Sequence, residues 1–172
     1  MNISPRLENY LNYSLVEYEI IHHAPTQTSY DSACAANIAL SSVVKAVVLK
    51  DRYDGQLVLA LVPATNMVNL AWASSTLNRH LELADEAEAA SLFPDCELGA
   101  IPGICQAYNI ALVWEDQLMF NSEFYFESGS HEDLVKIGSE QFLILFDHLP
   151  HARISTLREN NPLFRTNTEH QH

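Results

Sequence analysis

The stretch VVKAVVLKDRYDGQLVLALVP, Val43–Pro63, carries the strongest fold signal in the sequence. Two runs of β-branched and aliphatic residues flank a turn that contains Asp54-Gly55, which is typical of a β-hairpin. The connection DRYDG is five residues long, which leaves the turn type open. Pro63 should end the second strand, because proline cannot donate a hydrogen bond to a ladder. We therefore predict two adjacent antiparallel strands here.

A lysine lies inside the first of these strands. Side chains alternate between the two faces of a strand, so Lys45 shares its face with Val43, Val47 and Leu49. Lys50 can reach solvent at the strand end, whereas Lys45 has a valine two positions away on either side. One interpretation is an edge-strand lysine whose stem packs on valines while its ammonium reaches water. The other is a desolvated cation that binds an anionic or carbonyl-bearing ligand. Taken alone, the pattern favours the first.

The rest of the chain mixes helix and strand signals without a regular β–α–β rhythm. We predict helices at SPRLENYLNYS with Ser4 as the cap, TSYDSACAANIAL with Thr28 or Ser29 as the cap, NLAWASSTLNRH, DEAEAASLF with an Asp85–Glu88 capping box, and SEQFLILFDHL with Ser139 as the cap. We predict strands at VEYEIIHH, LELA, IALVWE, EFYFES and HEDLVKI. This mixture favours an α+β fold. We expect one domain over residues 1–150, in which residues 1 to about 15 form an accessory helix, and a polar tail over 151–172.

Composition excludes several classes of protein. The chain has 172 residues, 48% of them hydrophobic, so it can bury a core, but no apolar run approaches the ~20 residues that span a membrane. Its first residues lack the pattern of a signal peptide. Cys34, Cys96 and Cys105 are widely spaced, which predicts free thiols in a cytoplasmic protein. The net charge of −13 repels phosphates and anionic membranes, so we expect no DNA or membrane partner and only local contact with any RNA.

The segment GAIPG, Gly99–Gly103, is a second candidate for chemistry. Glycines that flank a proline permit a turn whose N–H groups converge on one point, which suits a phosphate or a carbonyl oxygen. Pro102 has no N–H, so the donors would come from Ala100, Ile101 and their neighbours. As a bare pattern the segment is weak evidence, because most such segments are ordinary turns.

Histidines and threonines near HHAPTQT form a third candidate group. His22 and His23 are adjacent on a predicted strand, so they face opposite ways and cannot chelate one metal ion together. Thr26 and Thr28 lie where a loop meets a helix, and capping is their default role. His131 follows a glycine turn, and alone it is most simply an exposed turn residue. We expect no metal site.

Several common catalytic motifs are missing from the sequence. It contains no G-x-S-x-G, no Walker loop and no G-x-G-x-x-G, which removes the common hydrolase, NTPase and dinucleotide-binding interpretations. No cysteine has a neighbouring cation or histidine that would mark a nucleophile. We therefore expect a protein that needs no cofactor.

In this order, the motifs resemble those of the YbaK/prolyl-tRNA-synthetase-associated domain family of aminoacyl-tRNA editing deacylases, in its free-standing branch. The resemblance covers most of residues 17–147 and rests on the strand lysine, the strand end Val62–Ala64, the Gly-x-x-Pro loop and the Gly-x-His turn. It implies a single compact domain with a curved, barrel-like mixed sheet flanked by helices. It also implies a pocket for the aminoacylated 3′ end of a tRNA and hydrolysis of the ester that joins a mischarged amino acid to the terminal adenosine.

The resemblance assigns roles to single residues. Lys45 matches the family's catalytic strand lysine, and the catalytic loop, whose amides would bind the carbonyl oxygen, matches Gly99, Ala100, Ile101 and Pro102. Substrate-binding positions fall on His23, Thr26, Thr28, Gly103 and His131. A free ribose hydroxyl of the substrate would act in place of a protein base. Many relatives carry a second proline where Gly103 stands, which leaves the loop's rigidity and the pocket's shape open.

Two functional hypotheses follow. The first is an aminoacyl-tRNA deacylase that edits in trans, contacts chiefly the tRNA acceptor end and has an aminoacyl-tRNA synthetase as a candidate partner. The second is a non-catalytic module that binds an aminoacyl or nucleotide ligand for regulation. The −13 charge and Gly103 motivate the second hypothesis.

Overall fold

The computed structural model of the protein describes residues 3–26 and 29–158. Its helices are α1 (Pro5–Tyr13), α2 (Ser29–Ala36), α3 (Leu70–Leu77), α4 (Glu86–Leu92) and α5 (Ser139–Phe146). Its strands are β1 (Glu19–His22), β2 (Val43–Asp51), β3 (Leu57–Pro63), β4 (Asn66–Val68), β5 (Leu81–Leu83), β6 (Ala111–Glu115), β7 (Glu123–Glu127), β8 (Asp133–Gly138), β9 (His151–Ala152) and β10 (Ser155–Leu157). Short 3-10 helices lie at Leu40–Ser42, Cys105–Ala107 and Asp116–Phe120. Thr28 lies outside the described residues.

The predicted hairpin forms the middle of the main sheet. Strands β2 and β3 pair antiparallel, with Val44 opposite Pro63 and Lys50 opposite Leu57. The strand order is β1-β8-β7-β2-β3-β6-β9, and β5 pairs in addition with β2. The β2–β7 and β3–β6 pairs are parallel, so the sheet is mixed. Strands β4 and β10 form a separate two-stranded sheet. A mixed sheet flanked by five helices confirms the predicted α+β class.

The main sheet is covered on both faces, and the two coverings differ. One face, which we call the packed face, carries Val44, Leu61 and Phe126 and is buried under α1, α4 and α5. The opposite face, which we call the Lys45 face, is covered in two separate places. Helix α2 packs on Val43 and its neighbours, and α3 packs on a cluster that contains Val62. Lys45 lies between these two apolar clusters, which leaves room for a cavity.

Helix starts follow the local sequence at the predicted caps Ser4 and Asp85, whereas Ser29, one of two predicted caps for α2, is the first residue of that helix. Ser4 caps α1 through its hydroxyl, and Asp85 and Glu88 form both hydrogen bonds of a capping box at α4. The prediction for α5 was wrong by one residue. Ser139 is the first helical residue, and Gly138 occupies the cap position without a side-chain hydrogen bond.

Residues 151–158, which we predicted to begin a polar tail, pack on the domain. Strand β9 pairs with β6, and β10 pairs with β4. The buried carboxylate of Glu115 anchors the segment, because its Oε1 accepts from the N–H groups of Ile154 and Ser155, both at 3.0 Å, and from the Ser155 hydroxyl at 2.8 Å. The strands are too short to show a periodic pattern, which is why the sequence did not predict them.

All three cysteines are free thiols, and Cys34 is exposed whereas Cys105 is buried. Among the described helices, none is long and apolar enough to cross a membrane.

Candidate active site

Lys45 lies in an interior strand. Strand β3 runs along one edge of β2, and β7 and β5 share the other edge. Strand β2 is therefore not an edge strand of the sheet, although Lys45 itself has a strand neighbour on one side only. The side chain is half-buried on the Lys45 face, beside Val47 and opposite Val62.

Lys45 opens into a cavity of about 660 Å³. Five elements or their immediate neighbours supply the wall, namely β2, β4, β5, the start of α3 and the segment around β10. The lining residues are Lys45, Val47, Asn66, Met67, Val68, Asn69, Leu70, Leu83, Thr156 and Arg158. Apolar side chains form much of this wall, and the described lining holds two cations and no carboxylate.

The environment of Lys45 disfavours its charged form. Burial lowers the pKa of Lys45, and the charge of Arg158 lowers this pKa further. No carboxylate among the described residues forms an ion pair with Lys45.

The environment of Lys50, on the same strand, favours its charged form. Its Nζ lies 3.0 Å from Glu88 Oε2, and the hydrogen bond with Glu88 raises the pKa of Lys50.

A gap in the sheet begins at Lys45. Strand β7 pairs only with Val43 and Val44, and β5 pairs only with Leu49–Asp51. On this edge, no strand of the described chain pairs with the intervening residues 45–48. The carbonyl of Val48 is occupied, since it accepts from the Ala84 N–H at 3.1 Å. Residues 45–48 therefore have a strand neighbour on one side only.

The Gly99–Gly103 loop has fewer available donors than the sequence suggested. Gly99 has a φ of +82°, a conformation that favours glycine. The Ala100 N–H donates to the Glu97 carbonyl at 3.1 Å, and the Ala100 carbonyl accepts from the Gly129 N–H at 2.9 Å. Ala100 therefore holds the loop together, and the prediction that its N–H is an available donor was wrong.

Three amide groups of the loop remain available. Among the described residues, the N–H groups of Gly99, Ile101 and Gly103 have no acceptor. Ala100, Pro102 and Gly103 are buried, whereas Gly99 is exposed and Ile101 is half-buried. Water can satisfy the exposed Gly99 N–H, so Ile101 and Gly103 are the available donors in the less exposed part of the loop.

Packing explains the glycine at position 103. A Cβ on Gly103 would lie 2.6 Å from Leu61 Cδ2 and 3.3 Å from Phe126 Cδ1. Leu61 is fully buried, so its side chain has little room to shift. Leu61 fills the space that a larger residue at 103 would need. This contact accounts for glycine at the position where many relatives carry a second proline.

Segments 23–26 and 131–132 lie against each other. The His23 N–H donates to the Glu132 carbonyl at 2.8 Å, and the Thr26 N–H donates to the His131 carbonyl at 3.0 Å. His131 Nε2 lies 3.7 Å from Glu97 Oε2, which connects this region to the loop that contains Gly99. The structure therefore brings His23, Thr26, His131 and the loop to one end of the sheet.

His23 is buried, with 4% of its surface exposed. Its Nδ1 lies 2.7 Å from the Ala24 carbonyl, and its Nε2 has no hydrogen-bond partner among the described residues. His22 points the other way and lies with Nδ1 2.7 Å from Asp133 Oδ1. The expectation that the two histidines face opposite sides agrees with this arrangement.

Glu127 is a buried acid that sequence reasoning missed. It is 3% exposed and shares the Lys45 face with Tyr125. Burial raises the pKa of Glu127 to about 8, against a smaller opposing effect of a hydrogen bond from Ser32. Its Oε2 has no partner in the part of the chain that the structure describes. The alternation of EFYFES, which puts Glu127 on the side of Tyr125, could have revealed it. Arg158 was missed as well, because its segment showed no pattern.

Among the described residues, neither an activated buried thiol nor a set of metal ligands lies near the site. Burial raises the pKa of Cys96 to about 11 and that of Cys105 to about 12, so neither thiol ionises near neutral pH. Over residues 3–26 and 29–158, no group of three or more histidine, cysteine or acidic side chains could hold a metal ion.

Comparison with known families identifies this architecture. The sequence model of the aminoacyl-tRNA editing domain matches residues 23–145, which is well over half of the chain and includes both Lys45 and the Gly99–Gly103 loop. The chain belongs to this family. The match ends before β9 and β10, so Arg158, which supplies part of the cavity wall, lies outside the matched residues.

Solved structures share the fold of this editing domain. A protein described only as hypothetical superposes with a TM-score of 0.78 at 19% identity, over 88% of this chain and 99% of its own. A candidate trans-editing enzyme for prolyl-tRNA synthetase gives 0.76 at 19% identity, over 89% and 96%. A candidate signal-transduction protein from Marinobacter aquaeolei VT8 gives 0.71 at 14% identity, over 90% of this chain but 31% of its own. No sequence among the curated proteins matches the chain.

Proposed function

We propose that this editing domain hydrolyses, in trans, the ester bond of mischarged aminoacyl-tRNA. The observation that carries the proposal is the half-buried Lys45, which has no described ion-pair partner and opens into a cavity within a chain of the editing family. A cation held away from water without a counter-ion is costly unless a ligand compensates it.

The cavity is suited to the terminal nucleotide of the tRNA. Its volume of about 660 Å³ lies within the ~300–1,000 Å³ range of small-molecule sites. Apolar side chains such as Val47, Val68 and Leu83 offer surface for a base or ribose. Lys45 supplies the positive charge for the anionic part of the nucleotide.

The Gly99–Gly103 loop is proposed to bind the carbonyl oxygen of the scissile ester. Negative charge develops on this oxygen during hydrolysis, and one well-placed amide donor is worth ~3–4 kcal/mol in other hydrolases. The N–H groups of Ile101 and Gly103 are the donors we assign. The loop lies on the packed face, so the substrate would reach it through the gap in the sheet that begins at Lys45.

The remaining chemistry needs no protein nucleophile. An aminoacyl ester is already labile, so orienting a water molecule in line with the carbonyl supplies much of the required acceleration. A free ribose hydroxyl of the substrate would assist the water in place of a protein base. His23, Thr26 and His131 lie at the same end of the sheet as the loop and are proposed to contact the substrate. Thr28 lies outside the described residues, so its assignment as a substrate-binding residue rests on the sequence alone.

The charge of the protein limits how it binds tRNA. With a net charge of −13, the domain would repel the body of the tRNA and contact chiefly its acceptor end. A synthetase partner could supply the missing basic surface. The structural neighbour described as a candidate trans-editing enzyme for prolyl-tRNA synthetase supports this proposal.

A complete panel of mischarged and correctly charged tRNAs tests the function. We expect hydrolysis of at least one mischarged aminoacyl-tRNA above the buffer rate, measured by loss of the labelled amino acid from tRNA. The same panel would identify the amino acid, since one methylene changes pocket binding by only ~1–3 kcal/mol. If the whole panel decays at the buffer rate, the proposed function is wrong.

A second candidate is a non-catalytic module that binds an aminoacyl or nucleotide ligand. It is favoured by the same fold within a longer candidate signal-transduction protein, of which this chain covers 31%. This candidate predicts saturable binding of a non-hydrolysable aminoacyl-adenosine analogue with no turnover of any aminoacyl-tRNA. A calorimetric titration without binding would reject it.

A further inference from the structure

The cavity around Lys45 contains a second cation, Arg158, which lies just after β10. This residue lies outside the region matched by the editing-domain family, which ends at 145. The chain carries 22 acidic residues against nine lysines and arginines, yet the described lining of this cavity includes none of the acids. The cavity is therefore a locally positive site in a strongly acidic protein.

The fold holds Arg158 in place by its backbone and by one nitrogen of its side chain. The Arg158 N–H donates to the Thr65 carbonyl at 3.1 Å, and Nε donates to the Asn66 carbonyl at 3.4 Å. Both terminal nitrogens of the guanidinium remain without a partner among the described residues. A guanidinium anchored at Nε presents the two other nitrogens as a fork, which matches two oxygens of a phosphate.

Two cations in one cavity repel each other unless an anion lies between them. The repulsion is visible at Lys45, because the charge of Arg158 contributes to lowering the pKa of that lysine. An anion bound between the two cations offsets their repulsion with two attractions. These interactions are strong in a half-buried site, because charges there are screened less than in water. The apolar wall formed by residues such as Val47, Val68 and Leu83 would suit the base or ribose attached to such an anion.

We infer that Arg158 is a second phosphate-binding residue of the Lys45 cavity, and that Lys45 and Arg158 together bind the 5′-phosphate of the terminal nucleotide at an RNA 3′ end. The inference rests on the proposed function and names the part of the substrate that this cavity recognises. The segment that follows β10 thus contributes to the binding site a residue that lies outside the family match.

Calorimetric titration of the full chain with small probes tests the inference. The probes are adenosine 5′-monophosphate, adenosine, inorganic phosphate and the trinucleotide CCA. We expect the monophosphate to bind at least about 10-fold more tightly than adenosine, because a charge-assisted hydrogen bond contributes enough for a factor of this size. CCA should bind at least as tightly as the monophosphate.

Variants of Arg158 separate its charge from its structural contacts. Arg158→Gln should weaken binding of the monophosphate and of CCA by about 10-fold and leave adenosine binding unchanged. Arg158→Lys, which restores the charge without the fork, should recover part of the loss. The matched control is Arg153→Gln, because Arg153 stacks over Trp72 with its Cζ 4.9 Å from the ring centroid and does not line the cavity. Thermal unfolding of each variant checks that the fold is intact.

The outcomes distinguish this inference from the proposed function. Equal affinity of Arg158→Gln and the unchanged protein for the monophosphate overturns the inference, even if aminoacyl-tRNA is hydrolysed. Binding of the monophosphate without binding of CCA overturns the assignment to an RNA end. Arg158-dependent binding of both probes without hydrolysis in the tRNA panel supports the inference and rejects catalysis.

Discussion

Lys45 and Gly103 lie on opposite faces of the main sheet. Lys45 is paired with Val62 across the hairpin, whereas Gly103 packs on the neighbouring Leu61, whose side chain points the other way. Under the proposed function, a substrate that contacts both residues would have to reach from one face of the sheet to the other, and strand pairing is missing beside Lys45, at residues 45–48.

The first prediction concerns the lysine. Lys45→Ala should lower kcat/KM for the susceptible aminoacyl-tRNA by about 100-fold, which is the order of loss seen when one charge-stabilising group is removed from an active site. Single-turnover deacylation assays measure this effect. Lys50→Ala is the matched control, because Lys50 lies on the same strand but forms surface ion pairs with Glu82 and Glu88. Equal losses in the two variants would contradict a specific role for Lys45.

The second prediction concerns the close packing at Gly103. Gly103→Ala should lower the free energy of unfolding by about 1–3 kcal/mol, because its Cβ would meet the buried Leu61 side chain. Urea denaturation measures the loss. Gly138→Ala serves as the control, since a Cβ there meets no atom within 4 Å, and it should stay within about 1 kcal/mol of the unchanged protein.

A double variant tests the cause of that loss. Combining Gly103→Ala with Leu61→Ala should cost less than the sum of the two single changes, because the smaller side chain at 61 removes the clash. Strict additivity of the two changes would show that Leu61 is not the reason for glycine at 103.

The sequence predicted the fold where a pattern was long enough to have a period. The hairpin that contains Lys45, the capping box at Asp85 and the cap at Ser4 were all visible as local signals. Each of them depends on neighbours within a few residues along the chain. Family resemblance then supplied the arrangement of the sheet, which local signals do not determine.

The site was predicted less completely because its parts come from distant segments. Arg158 reaches the Lys45 cavity through a strand of only three residues, which has no detectable period. The Ala100 N–H is unavailable to a ligand because it donates to the Glu97 carbonyl, and no spacing rule predicts this hydrogen bond. The need for glycine at 103 follows from Leu61, which lies 42 positions earlier in the chain.

The third prediction concerns the thiols. At pH 8, iodoacetamide should modify the exposed Cys34 and leave Cys96 and Cys105 largely unmodified, because burial raises the pKa of these two thiols to about 11 and about 12. Intact mass and peptide mapping measure the modification. In denaturant all three should react. Rapid modification of Cys105 in the native protein would contradict its buried position.

The last prediction concerns the pH dependence of stability and the buried Glu127. The pKa of Glu127 is about 8 in the folded protein and near its ordinary value of 4.5 after unfolding. Between these values the folded state holds a proton that the unfolded state releases, so the contribution of Glu127 to the free energy of unfolding falls as pH rises from about 5 to 8, by at most about 1.4 kcal/mol per pH unit.

Glu127→Gln keeps the shape of the side chain without an ionisable group. Urea denaturation at pH 5.5 and pH 8 should show a smaller fall in stability for this variant than for the unchanged protein. The exposed Glu17 offers a control, and Glu17→Gln should retain the original pH dependence. The Glu127→Gln variant and the unchanged protein differ in no other ionisable group, so the difference between their pH curves isolates Glu127. Parallel pH curves for Glu127→Gln and the unchanged protein would mean that the folded protein does not hold the Glu127 carboxyl in its neutral form.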